Sequence, residues 1–104
     1  MKHLQTFSLL AFFIPLLFPI PCKATDFVFE NDQFSFQALR TAGYTFSGGA
    51  DIAECLSTCN RITDGDVESW YSEWLSTAIR LNLMADSFLE EGSRESAREC
   101  YFRA

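Results

Sequence analysis

Histidine is almost missing from this chain: the only one is His3, ahead of an apolar run that starts at Phe7. Beyond it there is no imidazole to serve as a base, so no Ser–His or Cys–His pair can be assembled downstream. No Gly-x-Ser-x-Gly turn occurs either, which removes the usual mounting of a nucleophilic serine. The five glycines among 104 residues form no phosphate-cradling loop. Lysine is confined to Lys2 and Lys23, and the three prolines to Pro15, Pro19 and Pro21. No strand-alternating run is long enough to build a sheet. What remains is rich in acid, in phenylalanine and in helical periodicity.

The first 24 residues read as a segment apart. Lys2 and His3 precede the apolar stretch from Phe7 to Ile20, no acid occurs before Asp26, and Cys22 and Ala24 put small residues three and one before a break at Thr25. That is the anatomy of a secretory signal peptide over residues 1–24, implying a secreted or periplasmic protein. An uncleaved anchor is the alternative, but it needs about 20 unbroken apolar residues. Here the prolines, which lack a backbone donor, interrupt the run. Cys22 as a lipid-attachment site fits less well, because Pro19-Ile20-Pro21 is a poor match to the residues expected before it.

Removal of residues 1–24 takes Lys2 and Lys23 and leaves six arginines against all fourteen acids, a formal charge of about −8. Nucleic-acid binding depends on clustered Lys and Arg, so that role is excluded. Anionic membrane surfaces are disfavoured for the same reason, and no membrane contact is expected after cleavage. Cys55, Cys59 and Cys100 remain; with three thiols, at least one has no partner within the chain. A disulfide scaffold, the usual support of a small secreted domain, is not the pattern here. Burial and chain entropy nearly balance in so short a segment, which suggests a piece of something larger.

Four helices are expected, making the chain all-α. Phe27 and Phe29 alternate like a short extended segment, and from Asp32 the spacing turns helical, with Phe34, Ala38 and Leu39 on one side and Gly43 at the end. After Gly48-Gly49, Asp51 sits in a first turn, and Ile52, Cys55, Leu56, Cys59 and Ile62 make one apolar face. The longest run carries Val67, Trp70, Tyr71, Trp74, Leu75, Ala78, Leu81, Ala85, Phe88 and Leu89 at a spacing near 3.6 and ends at Gly92. Ser93 then caps a last helix with Ala97, Cys100, Tyr101 and Ala104 on its apolar side. The last two form an antiparallel hairpin over residues 66–92 and 93–104. No terminator precedes Ala104, which reads as a truncated helix.

The stretch with most chemistry is Asp64-Gly65-Asp66-Val67-Glu68-Ser69-Trp70-Tyr71-Ser72-Glu73-Trp74. A calcium loop needs oxygens at alternate positions and a bidentate Glu at its twelfth. Val67, Trp70 and Tyr71 occupy those places, so the stretch reads as a helix start, with Asp66 accepting from free N–H groups and Glu68 favoured by the dipole. Cys55 and Cys59, four apart, read as core thiols, since a zinc site would need Cys100 and a carboxylate as well. Trp70, Tyr71 and Trp74 read as core aromatics in preference to a ligand platform. Glu68 and Glu73 could act as an acid/base pair only if one were buried. No catalytic, cofactor-binding or metal-binding residue is therefore expected within 25–104.

Gly49-Ala50-Asp51, the Asp64-Gly65-Asp66 turn, the run from Glu68 to Trp74, and Gly92 followed by Ser96-Ala97-Arg98 stand in a telling order and spacing. From Phe34 to Ala104 the chain resembles the N-terminal helical region of esterase-like α/β-hydrolases, the group related to the fermentation–respiration switch protein and to 2,6-dihydroxypseudooxynicotine hydrolase. The resemblance implies that residues 25–104 are an incomplete cap or lid. Its partners would be a missing C-terminal hydrolase domain and a small ester-like substrate. That group's Ser, acid and His lie downstream and have no counterpart here. A signal peptide departs from relatives that are cytoplasmic. The rival expectation is a secreted tetratricopeptide-like interaction module built on the hairpin, though one repeat is fewer than the about three a solenoid needs. A non-functional gene remnant is the third.

Overall fold

Three acceptor side chains set where the helices begin. In the computed structural model, which describes residues 27–104, Asn31 Oδ1 accepts from the Phe34 N–H at 3.0 Å and opens α1, Asp32–Gly43. Asp51 accepts from the Ala53 and Glu54 N–H groups and opens α2, Ile52–Cys59. Asp66 accepts from Glu68 and Ser69 at 3.0 and 3.2 Å and opens α3, Val67–Glu90. Each such cap stabilises its helix by about 1 kcal/mol. Asp51 is thus the cap itself and not a first-turn residue: its backbone is extended, with φ −121° and ψ 132°. The signal peptide expected over 1–24 lies outside the described residues.

The fourth helix, α4, spans Arg94–Arg103, and among the described residues there are four α-helices and no strand. Ser93 precedes α4 but its side chain makes no capping bond. The reason is the turn it completes. Gly92, at φ +83°, lets the Ser93 N–H reach back to the Phe88 carbonyl at 2.8 Å and its own N–H to Leu89 at 3.1 Å, the paired closure that ends helices at glycine. That leaves Ser93 at ψ 68°, off the extended geometry a cap requires. Between α1 and α2 the sequence reading missed a 3₁₀ turn over Tyr44–Ser47.

Two packing regions follow. In the first, Phe29, Phe34, Ala38, Cys59 and Ile62 are buried together, with Phe27, Trp70 and Trp74 packed against them. Phe29 meets Phe34 edge-on at 5.7 Å between ring centroids, and Phe34 lies 4.7 Å from Trp70. Phe27 and Phe29 do not form the expected extended segment. A three-residue turn joins them, the Phe29 N–H donating to the Phe27 carbonyl at 2.9 Å, with Val28 at φ +69°. A β-branched residue there is strained by about 1–3 kcal/mol. Insertion of both rings into one cluster offsets that strain, as do the Ser35 hydroxyl on Phe27 and the Asp64 carboxylate on the N–H groups of Glu30 and Asn31.

The second region is the antiparallel hairpin of α3 and α4. Leu81, Ala85, Ala97 and Cys100 are buried there, mostly small residues that let two helices approach closely. Several positions expected inside are exposed instead: Leu39, Ile52, Leu56, Val67, Tyr71, Leu75, Leu89 and Tyr101. On α3 the cause is geometric. Tyr71 and Leu75 lie on a flank of α3 turned away from Trp70, Trp74, Thr77 and Leu81 at 3.6 residues per turn, and Val67, the first residue of the helix, is 72 % exposed.

Candidate functional site

The acidic turn is occupied by backbone. Asp64 accepts from the Glu30 N–H at 2.8 Å and from Asn31 at 3.3 Å, tying the N-terminal strap to the α2–α3 loop, while Asp66 caps α3. The helix-start reading therefore holds for Asp66, and Asp64 has a tethering role that sequence did not reveal. Glu68 is exposed, and Glu73 accepts from Arg61 Nε at 2.8 Å. The structure does not bring these two glutamates together as an acid/base pair.

Cys55, Cys59 and Cys100 are free and buried, as core thiols should be. Burial pushes the Cys59 thiol up to about 11. Cys55 is raised too, first by burial and then by the neighbouring Glu54 and Asp51. Thiols held in their neutral form are poor nucleophiles and poor ligands. Of the aromatic trio, Trp70 and Trp74 pack on the core, 5.7 Å apart between centroids, but Tyr71 is 62 % exposed and does not.

Sequence reasoning missed two polar links, because each joins residues distant in the chain. Thr58 and Thr77 meet hydroxyl to hydroxyl at 2.7 Å inside the α2–α3 contact, and Arg61 Nη2 donates to Thr77 at 3.1 Å. Arg103, at the end of α4, donates from Nε and Nη2 to the two Glu54 oxygens at 3.0 and 3.3 Å. That hydrogen bond raises the Arg103 pKa above its usual range. No local signal marks either link; only the fold supplies the partner.

The Arg103–Glu54 pair closes one side of a cleft of about 380 Å³ where the start of α2 and the end of α4 converge on α3. Trp70, Trp74, Leu75 and Ala78 line it on α3, with Asp51 beside the ion pair. A mostly apolar concavity with a few fixed polar groups suits a small molecule. It holds no nucleophile with an adjacent base: Cys55, on its edge, has its pKa raised. Among the described residues no three His, Cys, Asp or Glu side chains stand close enough to share a metal ion, and no helix is long and apolar enough to cross a membrane.

Several known proteins are similar to this chain, and they carry hydrolase names. It is 42 % identical over 77 residues to the 20-hydroxy-prefusarin hydrolase FUS2 of Gibberella moniliformis, a match covering 74 % of this chain and 18 % of that protein. It is 38 % identical over 76 residues to the hydrolyase poxO of Penicillium oxalicum, covering 73 % and 18 %. To the alpha/beta hydrolase xenA of Xenoacremonium sinensis it is 41 % identical over 72 residues, covering 69 % and 17 %. The chain thus spans about 18 % of the length of the curated relatives it matches. No protein-family model matches it, and no solved structure does.

Proposed function

We infer that residues 25–104 are a helical cap segment of an exported α/β-hydrolase, carrying no catalytic residue of its own and covering an active site supplied by a hydrolase domain outside this sequence. The observation that carries this reading is the similarity to hydrolases about four times as long as this chain, including an alpha/beta hydrolase, over more than two thirds of this chain. The surface fits the role. Phe36, Phe46, Ile79, Leu83 and Phe102 are exposed, and apolar area of this kind is stabilised when a larger body covers it. The substrate would be a small ester-like molecule. Export rests on the composition of residues 1–24.

Reading the transcript past codon 104 tests the proposal. The expected result is an open frame that continues through a Gly-x-Ser-x-Gly turn to a later Asp and His, together with no hydrolysis of a short-chain nitrophenyl ester by the 104-residue chain alone. A stop codon directly after Ala104, with the protein accumulating in cells, would sink the cap reading in favour of a free-standing helical interaction module.

A further inference from the structure

The outer face of α3 is bare among the described residues. Thr77, Leu81 and Ala85 mark the side that the helix buries. At about 100° per residue, Ile79 and Leu83 stand about 160° from Leu81, and Leu75 about 120°. All three are exposed. They form one aliphatic row about 12 Å long, with the small, exposed Ser72 and Ser76 beside it. Acids close both ends of the row. Glu68 precedes it, Asp86 and Glu90 follow it, all are exposed, and each lies within about 20° of Ile79 around the helix. Among the described residues none of the three is in an ion pair, and Asp86 accepts from the uncharged Tyr101 hydroxyl. The neighbouring bases are turned elsewhere. Arg61, Arg98 and Arg103 are engaged by Glu73, Glu95 and Glu54, and Arg94 lines a groove on the α4 side with Leu89 and Tyr101. Arg80, about 100° from Ile79, reaches along the other flank to Met84 Sδ at 3.6 Å.

An aliphatic row at this spacing is what one helix presents to another. A second copy of the chain does not suit it. A parallel copy sets Glu68 on Glu68, and an antiparallel copy centred on the row sets Glu68 against Asp86. Like charges brought together in this way disfavour a partner. We propose that the row seats a helix of the hydrolase domain, one with an aliphatic stripe of its own and a lysine or arginine at each end. The inference rests on the cap reading and deepens it by naming the side of the cap that meets the body. Burial of the two aliphatic stripes supplies the attraction. The bases at either end fix the register and reject acidic alternatives. In the relatives there is ample chain to supply such a helix, since the 77 matched residues are 18 % of FUS2.

Methyl NMR on the full 104-residue chain tests this. The probe is a synthetic helix of about 22 residues, long enough to run from Glu68 to Glu90, with leucines along one face and two lysines at each end. The methyl signals of Leu75, Ile79 and Leu83 should shift saturably as it is added. A counterpart with glutamates in place of the lysines should bind roughly tenfold more weakly. Glu68→Gln together with Glu90→Gln should bring the two probes to within about threefold. Ile79→Asp, at an exposed position, should abolish the shifts at Leu75 and Leu83 with the circular dichroism unchanged. Phe36→Asp makes the same change of charge on an exposed residue of α1 and should leave those shifts in place. No saturable shift, equal binding of the two probes, or shifts that survive in I79D would overturn the proposal. So would a dimer in light scattering that I79D dissolves, because the row would then belong to a second copy. Failure here is separable from failure of the cap reading. An open frame beyond codon 104 with no probe binding removes this face and leaves the cap; a stop codon with binding removes the cap and the occupant named here.

Discussion

The aromatic cluster at the N-terminal end and the α3–α4 hairpin solve the same problem with opposite materials. The cluster fills its volume with Phe29, Phe34 and the flanks of Trp70 and Trp74, and its chain entry is held by polar tethers from Ser35 and Asp64. The hairpin brings two helices together over Ala85, Ala97 and Cys100 and needs only the Gly92 turn to reverse the chain. Large rings depend on every neighbour being present. Small residues depend on nothing larger intruding. The two regions should therefore fail in different ways.

The largest effect is expected in the cluster. Phe34→Ala leaves a cavity among Phe29, Ala38 and Trp70, and a loss of about 3–5 kcal/mol is comparable with the whole stability of so small a domain. Its far-UV circular dichroism should fall toward that of an unfolded chain; retention of a cooperative urea transition near the original midpoint would refute the role given to the cluster. The converse substitution belongs to the hairpin. Ala85→Leu adds volume where two helices touch and should destabilise by about 1–3 kcal/mol, with hydrogen exchange accelerated in α4 before α1. Uniform acceleration would mean that the two regions are one cooperative unit.

Alkaline pH probes the cluster through Cys59. Its folded pKa is raised to about 11 from an ordinary 9.0, so the folded state holds the thiol proton more tightly than the unfolded chain does. That contribution is fully present below about pH 9 and is lost as pH rises toward about 11. It amounts to roughly 2–3 kcal/mol. Urea midpoints measured across this window should decline less steeply in Cys59→Ala than in the unaltered chain. An identical decline would assign the alkaline sensitivity elsewhere, to Tyr101 for instance, whose pKa is raised by its hydrogen bond to Asp86. The smallest effects separate the helix starts. Asp66→Ala should lose about 1 kcal/mol, whereas Ser93→Ala should change the thermal midpoint little, since Ser93 makes no capping bond. Equal losses at the two positions would contradict the cap geometry.

Much of the helical layout was legible because its causes are local. Asp66 before a periodic run and Gly92 after it mark the start and end of α3 without any knowledge of the fold. The burial of Cys55, Cys59, Ala85 and Ala97 follows from their shared faces. Burial on the second side of a helix was not legible. Leu39, Leu56 and Tyr71 carry the same apolar signal as Phe34 and Cys59, yet no neighbouring element covers them in the described structure. The candidate site was less legible still. Its residues come from α2, α3 and α4, and Asp51 and Arg103 take on meaning only when brought to one cleft.

The sequence by itself determined where α3 begins and ends, the all-helical class of the described residues, the acidic balance, and the lack of any histidine after His3. Each depends on residue type and on neighbours a few positions away. Tertiary structure alone decided the pairing of Arg103 with Glu54, the meeting of Thr58 with Thr77, the tether from Asp64 to the strap, and the cleft beside the two tryptophans. Those contacts join residues between 19 and 49 positions apart. Their partners are chosen by how the helices pack, and no local pattern encodes that choice.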